Sequence, residues 1–593
     1  MAQAIFDKNR GMQAFDPSEI ARQQFQRIPL STALACLAVG LPMLVAFNLP
    51  PSATYFNQAV SLFGWGAWTL YLTSTGATAA LSRGLAAAFA TLGLLFIAAL
   101  QSSVLVGQPW ALSLSGAAMI GAAAFVVATG AAAGRNGLGT EAFLALCVAL
   151  LLAGVASSAI GMVQVYAPAW ADGDWIARTS IEGRAVGNLR QPNHLCSLLL
   201  WSTVAALWLG EARILRRAVG ASLAALMLFG VVLSGSRTGV LGALLLSLWG
   251  LLDSRLTRRT RAVLLLAPLA YALFWFGAAH GAGRFSAGGD ISSSRFAIWS
   301  DTRDLVRAHP WAGVGFGEFN FAWTLTEFPN RPVAFFDHAH NLPLQFAVEL
   351  GLPLAGLALG LLGWALWCAA RNCLRPVDTG EAASPQRAAF VMVLLVLMHS
   401  LLEYPLWYAY FLLPAAFALG LCLADRSQPK GTVARESHSS GQAISLRLGS
   451  IVLMLGAAYS VYDYLRVVVI FAPPVEAVPL AERITRGQRS VFFSHHADYA
   501  AATTSEDPAI ALQAAQRAAH FLLDTRLMMA WANALHATGD TERAKYLAQR
   551  LGEFRNPQSE GYFAPCKDPP LTDAGRPYQC LAPQRKFTFA DFR

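Results

Sequence analysis

Apolar stretches of eighteen or more residues recur along the chain, and no other feature limits its possible folds so strongly. Residues 31–48 (STALACLAVGLPMLVAFN), 141–160 (EAFLALCVALLLAGVASSAI), 216–233 and 448–472 are examples. As a helix, each is long enough to cross about 30 Å of hydrocarbon. Charged residues make up only 13% of the chain, against about a quarter in an ordinary soluble domain. An α-helical polytopic membrane protein is therefore expected, with about thirteen spans at 29–48, 58–75, 84–101, 112–133, 141–165, 193–211, 215–233, 238–252, 262–281, 345–369, 388–403, 406–424 and 446–472.

Basic residues fall in alternate loops, as the positive-inside rule requires. A cytoplasmic N-terminus (Lys8, Arg10, Arg22, Arg27) puts Arg83, Arg135, Arg213, Arg216, Arg217 and Arg255 on the same side. Arg258, Arg259, Arg261, Arg371, Arg375, Arg387, Arg426, Lys430 and Arg435 follow there, while loops 49–57 and 102–111 carry no charge. The net charge of +9 is thus accounted for without nucleic acid. Residues 1–28 lack the pattern of a cleaved signal peptide, so the first span is expected to stay as an anchor.

This topology divides the chain into a cytoplasmic segment 1–28, a membrane domain 29–472 and an outer tail 473–593. Loops 166–192 and 282–344 also lie on the outer face. Residues 508–523 and 525–552 have helical spacing, and ANALHATGDTERAKYLAQRL resembles one tetratricopeptide-like hairpin. His495 and His496 are expected on the tail surface. Cys566 and Cys580, with thirteen residues between them, would form a disulfide in an oxidising compartment.

The outer loops hold the candidate chemistry. Arg190, Gln191 and Asn193 sit where loop 166–192 meets the next span, a ring of donors suited to an anionic head group. Arg237, in LSGSRTGVLG, stands alone in an otherwise uncharged kind of outer turn. Residues 293–308 read as an amphipathic helix with Arg295 in its first turn and Phe296, Ile298 and Trp299 available to the membrane interface. Asp301 and Asp304 are expected to pair with Arg303 and Arg307. Five arginines against six acidic residues between 282 and 341 rule out a general basic funnel, so any anion site depends on particular arginines.

In FFDHAHNLPLQFAVELG, His338 and His340 with Asp337 fall short of a full metal-ligand set. Glu349, His399 and Glu403 are the candidates for a proton path. A lipid-linked glycan transporter would need coupled intramembrane charges or an inverted repeat, and neither is evident. One histidine acting as a general base fits better, since neutral imidazole is the base most available near pH 7.

Together, SRFAIW with HPWAGVGFGEF, HNLPLQFAVELG, GSRTG and the late outer loop resemble the family of O-antigen ligases, O-antigen polymerases and bacterial O-linked oligosaccharyltransferases. RQPNH and EYPLWYAYFLLP are most similar to the protein O-oligosaccharyltransferase, or pilin glycosylation ligase, branch. The resemblance covers about residues 30–425. It implies a GT-C-like membrane enzyme of the bacterial inner membrane, with its site and tail in the periplasm. The implied donor is an undecaprenyl-pyrophosphate glycan, and the implied acceptor is a pilin-like protein, lipid A–core or another glycan. Gln191, His340 and Tyr404 match residues important in that branch, and Arg190, Arg237 and Arg295 match its pyrophosphate-side arginines. His340 is the expected base, while Asn341, His338 and Asp337 support it. No cofactor or metal is expected.

Overall fold

A computed structural model describes residues 29–74, 81–179, 181, 183–282, 291–329, 331–375, 383–424, 436–567 and 575–593. The expected cytoplasmic segment 1–28 and the basic positions Arg426, Lys430 and Arg435 lie outside the described residues. Every expected span coincides with a helix. In chain order these are α1 (Pro29–Met43), α2 (Tyr55–Thr73), α3 (Arg83–Leu105), α4 (Trp110–Arg135), α5 (Gly139–Tyr166) and α6 (Pro192–Glu211). Then come α7 (Arg217–Leu233), α8 (Thr238–Leu252), α9 (Arg258–Leu265), α10 (Ala267–Ala282), α11 (Ile291–Ala308), α12 (Phe319–Leu325), α13 (Leu342–Leu374), α14 (Pro385–Ser400), α15 (Ala409–Leu423) and α16 (Glu436–Phe471). Among the described residues, six helices are long and apolar enough to cross a membrane, or seven with the α9–α10 pair, and five apolar helices are shorter. The chain is a helical multi-pass membrane protein.

Two expected spans are broken. The one at 262–281 is α9 and α10, bent by 45° at their junction. Pro268 follows Ala267 there, and proline disfavours helical geometry in the residue before it. The span at 345–369 is interrupted at Gly351, whose φ of 74° and ψ of 163° lie outside the helical region. Into this break docks HPWAGVGFG. Leu352 N donates to Pro310 O (2.7 Å), Val314 N to Val348 O (2.8 Å) and Gly315 N to Glu349 O (3.1 Å). A Cβ on Gly351 would lie 2.3 Å from Trp311 O, so only glycine admits both this backbone angle and this contact.

The expected interface helix α11 faces the other way for much of its length. Ile298 is fully buried, and Trp299 Nε1 donates to Ala339 O at 3.0 Å. Only Phe296 of the three apolar residues is strongly exposed. Asp304 pairs with Arg307 at 2.9 Å, but Asp301 is buried and accepts from Trp323 Nε1 at 3.1 Å. Burial pushes the Asp301 carboxyl up to about 6, with the Trp323 bond opposing. The helix is therefore a wall of the protein core.

After Phe471 the tail forms α17 (Leu480–Gly487), α18 (Ser494–Thr504), α19 (Pro508–Ala518), α20 (Thr525–Ala537), α21 (Thr541–Glu553) and α22 (Glu560–Phe563). Helices α18–α19 and α20–α21 pack as two hairpins, where the sequence suggested one. Asp507, Asp524 and Asp540 cap α19, α20 and α21 through their side chains, each removing one orphan amide. Cys566 and Cys580 are joined by a disulfide.

The tail shares one hydrophobic core with α11, α12 and the ends of α2 and α16. Its polar ties are also buried. His520 Nδ1 lies 2.8 Å from Glu318 Oε1, Leu523 N donates to Asn320 Oδ1 (2.7 Å), and Tyr546 OH donates to Leu325 O (2.7 Å). Arg593 bonds the Val314 carbonyl, so the last residue braces the loop docked on α13.

His495 is not on the surface, and His496 is only partly exposed. His495 is buried, with its ring 4.1 Å from that of Phe521, because the first turn of α18 packs against α19 and the segment after it. Burial depresses both imidazoles, His496 to about 4.

Gly351→Ala is expected to destabilise the protein by at least ~2 kcal/mol, seen as a lower unfolding temperature in detergent than for Leu352→Ala. The two tail histidines fold neutral and bind protons more readily when unfolded. Their contribution is present above about pH 6.5 and is lost as pH falls towards 4, by up to ~3 kcal/mol for His496. Thermal unfolding at pH 8 and pH 5 measures this loss, and His496→Gln should make it smaller.

Candidate functional site

Two helices begin at the site, and both starts are written in the local sequence. Gln191 caps α6 by accepting from His194 N at 2.7 Å, with Pro192 in the first turn. Asn341 caps α13 by accepting from Leu344 N at 3.0 Å, with Pro343 in the first turn. Proline is tolerated there because its missing N–H would be unpaired anyway. The residues adjoining these caps are thereby held at the helix mouths.

Between the two mouths lies Glu403, in the turn between α14 and α15, with 6% of its side chain exposed. Its Oε2 is 2.7 Å from His340 Nδ1. Its Oε1 accepts from Asn193 Nδ2 at 2.8 Å and from Arg295 Nη2. Asn193 Oδ1 in turn accepts from Ser236 Oγ at 2.5 Å. Three separate segments therefore meet on one carboxylate, and a fourth reaches it through Asn193. Burial alone would raise Glu403, but the hydrogen bond and charge of His340, with the charge of Arg295, more than reverse this and bring it to about 2.

The hydrogen bond to Glu403 assigns the tautomer of the neutral imidazole. With a carboxylate at Nδ1, the proton resides there and Nε2 keeps its lone pair. His340 has φ of 52°, left-handed for a residue with a Cβ, so the surroundings hold it in a sparsely populated conformation. Rings pack around it: Phe336 at 5.4 Å and Tyr404 at 5.0 Å, both edge-on. The loop is also fixed from behind. Ala339 N donates to Gln345 Oε1 (2.7 Å), Gln345 Nε2 donates to Glu349 Oε1 (2.8 Å), and Glu349 accepts from the amides of Gly317 and Phe319. This polar chain joins the α13 break to the histidine loop.

His338 stacks on Tyr404 with centroids 4.3 Å apart, and its Nδ1 lies 3.1 Å from Asp337 Oδ1. Asn341 Nδ2 donates to Leu401 O at 3.0 Å, tying this loop to the Glu403 turn. Burial, chiefly, with the Asp337 and Glu403 charges added, raises the Tyr404 phenol far above its usual range. It therefore keeps its proton and acts as packing and as a hydroxyl donor.

The arginines divide into two groups. Arg237 and Arg295 lie close enough to Arg184 for their charges to oppose its own, and burial, followed by the fields of Arg295 and Arg237, lowers the Arg184 pKa. Arg184 Nε donates to Ser234 O (2.9 Å) and its Nη2 to Gly235 O (3.2 Å), which pins the turn carrying Ser236 and Arg237. Arg237 is exposed and makes no ion pair among the described residues. Arg190 stands apart: its Nη2 donates to Ala46 O at 2.7 Å, beyond the end of α1.

Of the sequence candidates, the structure thus brings together His340, Arg295, Asn193, Tyr404, Asn341, His338 and Asp337, with Arg237 beside them. It assigns Gln191 to a helix cap and ties Arg190 to the chain after α1, and it occupies Asn193 with Glu403 and Ser236. Sequence reasoning placed Glu403 only on a possible proton path and gave no site role to Ser236 or Arg184. The available signal was Glu403 itself, an acidic residue at a span edge directly before Tyr404. His399, the other proton-path candidate, bonds Ser197 Oγ through Nδ1 at 2.7 Å. Among the described residues no group of three His, Cys, Asp or Glu side chains is placed to hold a metal ion.

Three known families match successive parts of the chain. Residues 185–209 match a protein glycosylation ligase family, 222–368 an O-antigen ligase family, and 388–558 the C-terminal part of a virulence-factor membrane-bound polymerase family. Two curated proteins of Acinetobacter baylyi are similar to it. A general O-oligosaccharyltransferase is 29% identical over 262 residues, covering 41% of this chain and 44% of that protein. A ComP-specific O-oligosaccharyltransferase is 28% identical over 255 residues, with the same shares. The matches thus span less than half the length of either relative. The first family segment contains Asn193, the second Arg237, Arg295 and His340, and the third Glu403 and Tyr404.

Arg184→Gln is expected to free the 234–237 turn. Losing two charge-assisted bonds to carbonyls should cost about 2 kcal/mol, measured as a lowered unfolding temperature. Arg184→Lys should recover only part of it, because an ammonium lacks the planar fork.

Proposed function

We propose that this chain, which belongs to the family of O-antigen ligases and O-oligosaccharyltransferases, transfers an oligosaccharide from a lipid pyrophosphate to an acceptor hydroxyl. The observation that carries the reading is the His340–Glu403 pair, 2.7 Å apart, beside a group of three arginines. A histidine held at Nδ1 by a buried carboxylate, with Nε2 left to accept a proton, is a general base with its orienting partner. Glu403 stabilises the imidazolium formed when the proton arrives. It stays ionised itself, held by the Arg295 guanidinium and the Asn193 amide.

The reaction balances with these groups. The acceptor oxygen gives its proton to His340 Nε2 and bonds the first sugar's anomeric carbon. The bond from that carbon to the pyrophosphate oxygen breaks, and its electron pair leaves with the phosphate. Attack from the face opposite the leaving group inverts the anomeric centre. The leaving group is already a stable anion, so it needs charge neutralisation rather than a general acid. Arg237 and Arg184 supply positive charge beside Arg295, whose guanidinium also holds Glu403. Tyr404 and His338 wall the acceptor side.

The donor is read as undecaprenyl-pyrophosphate glycan and the site as periplasmic, following the family and the alternation of basic loops. The acceptor is read as a protein serine or threonine, as the names of the two relatives and the first family match favour. A sugar hydroxyl of lipid A–core or a growing glycan is the second reading, favoured by the O-antigen ligase and polymerase matches. Reconstitution with lipid-linked glycan and separate protein and lipid A–core acceptors decides between them. His340→Ala should lower turnover by about 10³-fold, and Glu403→Gln by about 10²-fold, with the donor KM little changed. Turnover is expected to survive EDTA. Wild-type transfer by the His340→Ala protein would defeat the base assignment.

A further inference from the structure

A cavity of about 760 Å³ opens between α11, the segment after α12, α21 and the C-terminal segment, away from the His340 group. We propose that it docks an extended polypeptide segment bearing carboxylate side chains, the part of a protein acceptor that flanks the modified hydroxyl. Naming the occupant an acceptor rests on the reaction proposed above; the cavity and its charge do not.

Its volume lies in the range of ordinary ligand sites. The apolar part is rigid: Leu305, Phe328, Tyr546 and Phe587 line it and are all largely buried in the shared core. The polar part is cationic. Arg550 belongs to the lining, its side chain only 1% exposed and its guanidinium 4.9 Å from the Tyr546 ring centre. Its Nη2 is 2.7 Å from Glu553, its Nη1 is 3.5 Å from Glu327, and Nε and Nη1 have no hydrogen-bond partner among the described residues. Arg585 and Lys586 add two more cations, and Arg585 is held over the Phe587 ring at 4.2 Å. Against these stand Asp304, already paired with Arg307, Glu327 and Glu553 on Arg550, and Glu542 and Asp591 near Arg585. The unsatisfied Nε–H and Nη1–H of Arg550, with Lys586, over an apolar floor suit a carboxylate on an otherwise apolar stretch of chain. A neutral sugar would leave that charge unused.

The walls relate this cavity to the chemistry. Helix α11 carries Arg295 at the Glu403 carboxylate and Trp299 at the Ala339 carbonyl, and the same helix reaches the cavity at Leu305. Ten residues of helix separate Arg295 from Leu305, about 15 Å. Four or five extended residues cover that distance. A carboxylate seated in the cavity would thus belong about five residues from the hydroxyl presented to His340.

The test uses the full chain in detergent, with fluorescence anisotropy of a labelled peptide of about twelve residues. The peptide carries one serine and two glutamates about five residues from it; a control replaces the glutamates by glutamine. In the His340→Ala background, so that nothing is turned over, the acidic peptide should bind at least ~10-fold more tightly than the control. The double variant Arg585→Glu, Lys586→Glu should remove that preference while leaving the unfolding temperature unchanged. Equal binding of both peptides, or indifference to the charge reversal, overturns the proposal. So does displacement of the peptide by inorganic phosphate or phosphatidylglycerol vesicles as readily as by unlabelled acidic peptide, which would mark a general anion site. Transfer assays separate the two readings. Charge-dependent binding without glycosylation of any peptide would sink protein transfer and spare the site. Glycosylation with a KM indifferent to the charge reversal would do the reverse.

Discussion

One buried carboxylate, Glu403, sets the arrangement of everything around the site. Taking an ionised group out of water costs several kcal/mol unless cations and donors replace the lost hydration. Glu403 receives that replacement from Arg295, Asn193 and His340, which reach it from α11, α6 and the loop before α13. None of these groups is dispensable to the others. Without the carboxylate, Arg295 and the imidazole would lose their anchor and Asn193 its acceptor. The same bond that stabilises the turn also selects the imidazole tautomer, so folding and chemistry draw on one interaction.

The histidine loop is held from a second direction by the break in α13. Between Asn341 and Gly351 lie nine residues, the length of helix that separates the histidine loop from the docking point of HPWAGVGFG. Glu349 and Gln345 carry hydrogen bonds from that docked loop back to Ala339, next to the base. The tail closes the arrangement, since Arg593 bonds Val314 and His520 meets Glu318 inside a common core. Movement of the tail would therefore be felt at the loop that carries His340.

Helix locations and their caps were legible in the chain, because apolar length, Asn341-Leu342-Pro343 and Gln191-Pro192 are local signals. The errors are equally specific. His495, Ile298 and Asp301 read as surface or interface residues, yet each is covered by a segment distant in sequence. For Asn193, read as a donor for a substrate anion, the structure adds a partner 210 positions away, the Glu403 carboxylate. Glu403 read as one of several scattered titratable groups, since nothing near it in the chain announces Arg295 or Asn193.

By itself the sequence determined a helical membrane protein with its charged loops alternating and a histidine loop at the mouth of a span. Those properties follow from hydrophobicity and backbone capping, which act over a few residues at a time. Only the tertiary structure decided that His340 is paired with Glu403, that Arg237 and Arg295 lie near Arg184, that Arg190 bonds the chain after α1 and that Gln191 caps α6. Those outcomes depend on which desolvated polar groups find partners, and in this chain the partners come from segments far apart in sequence.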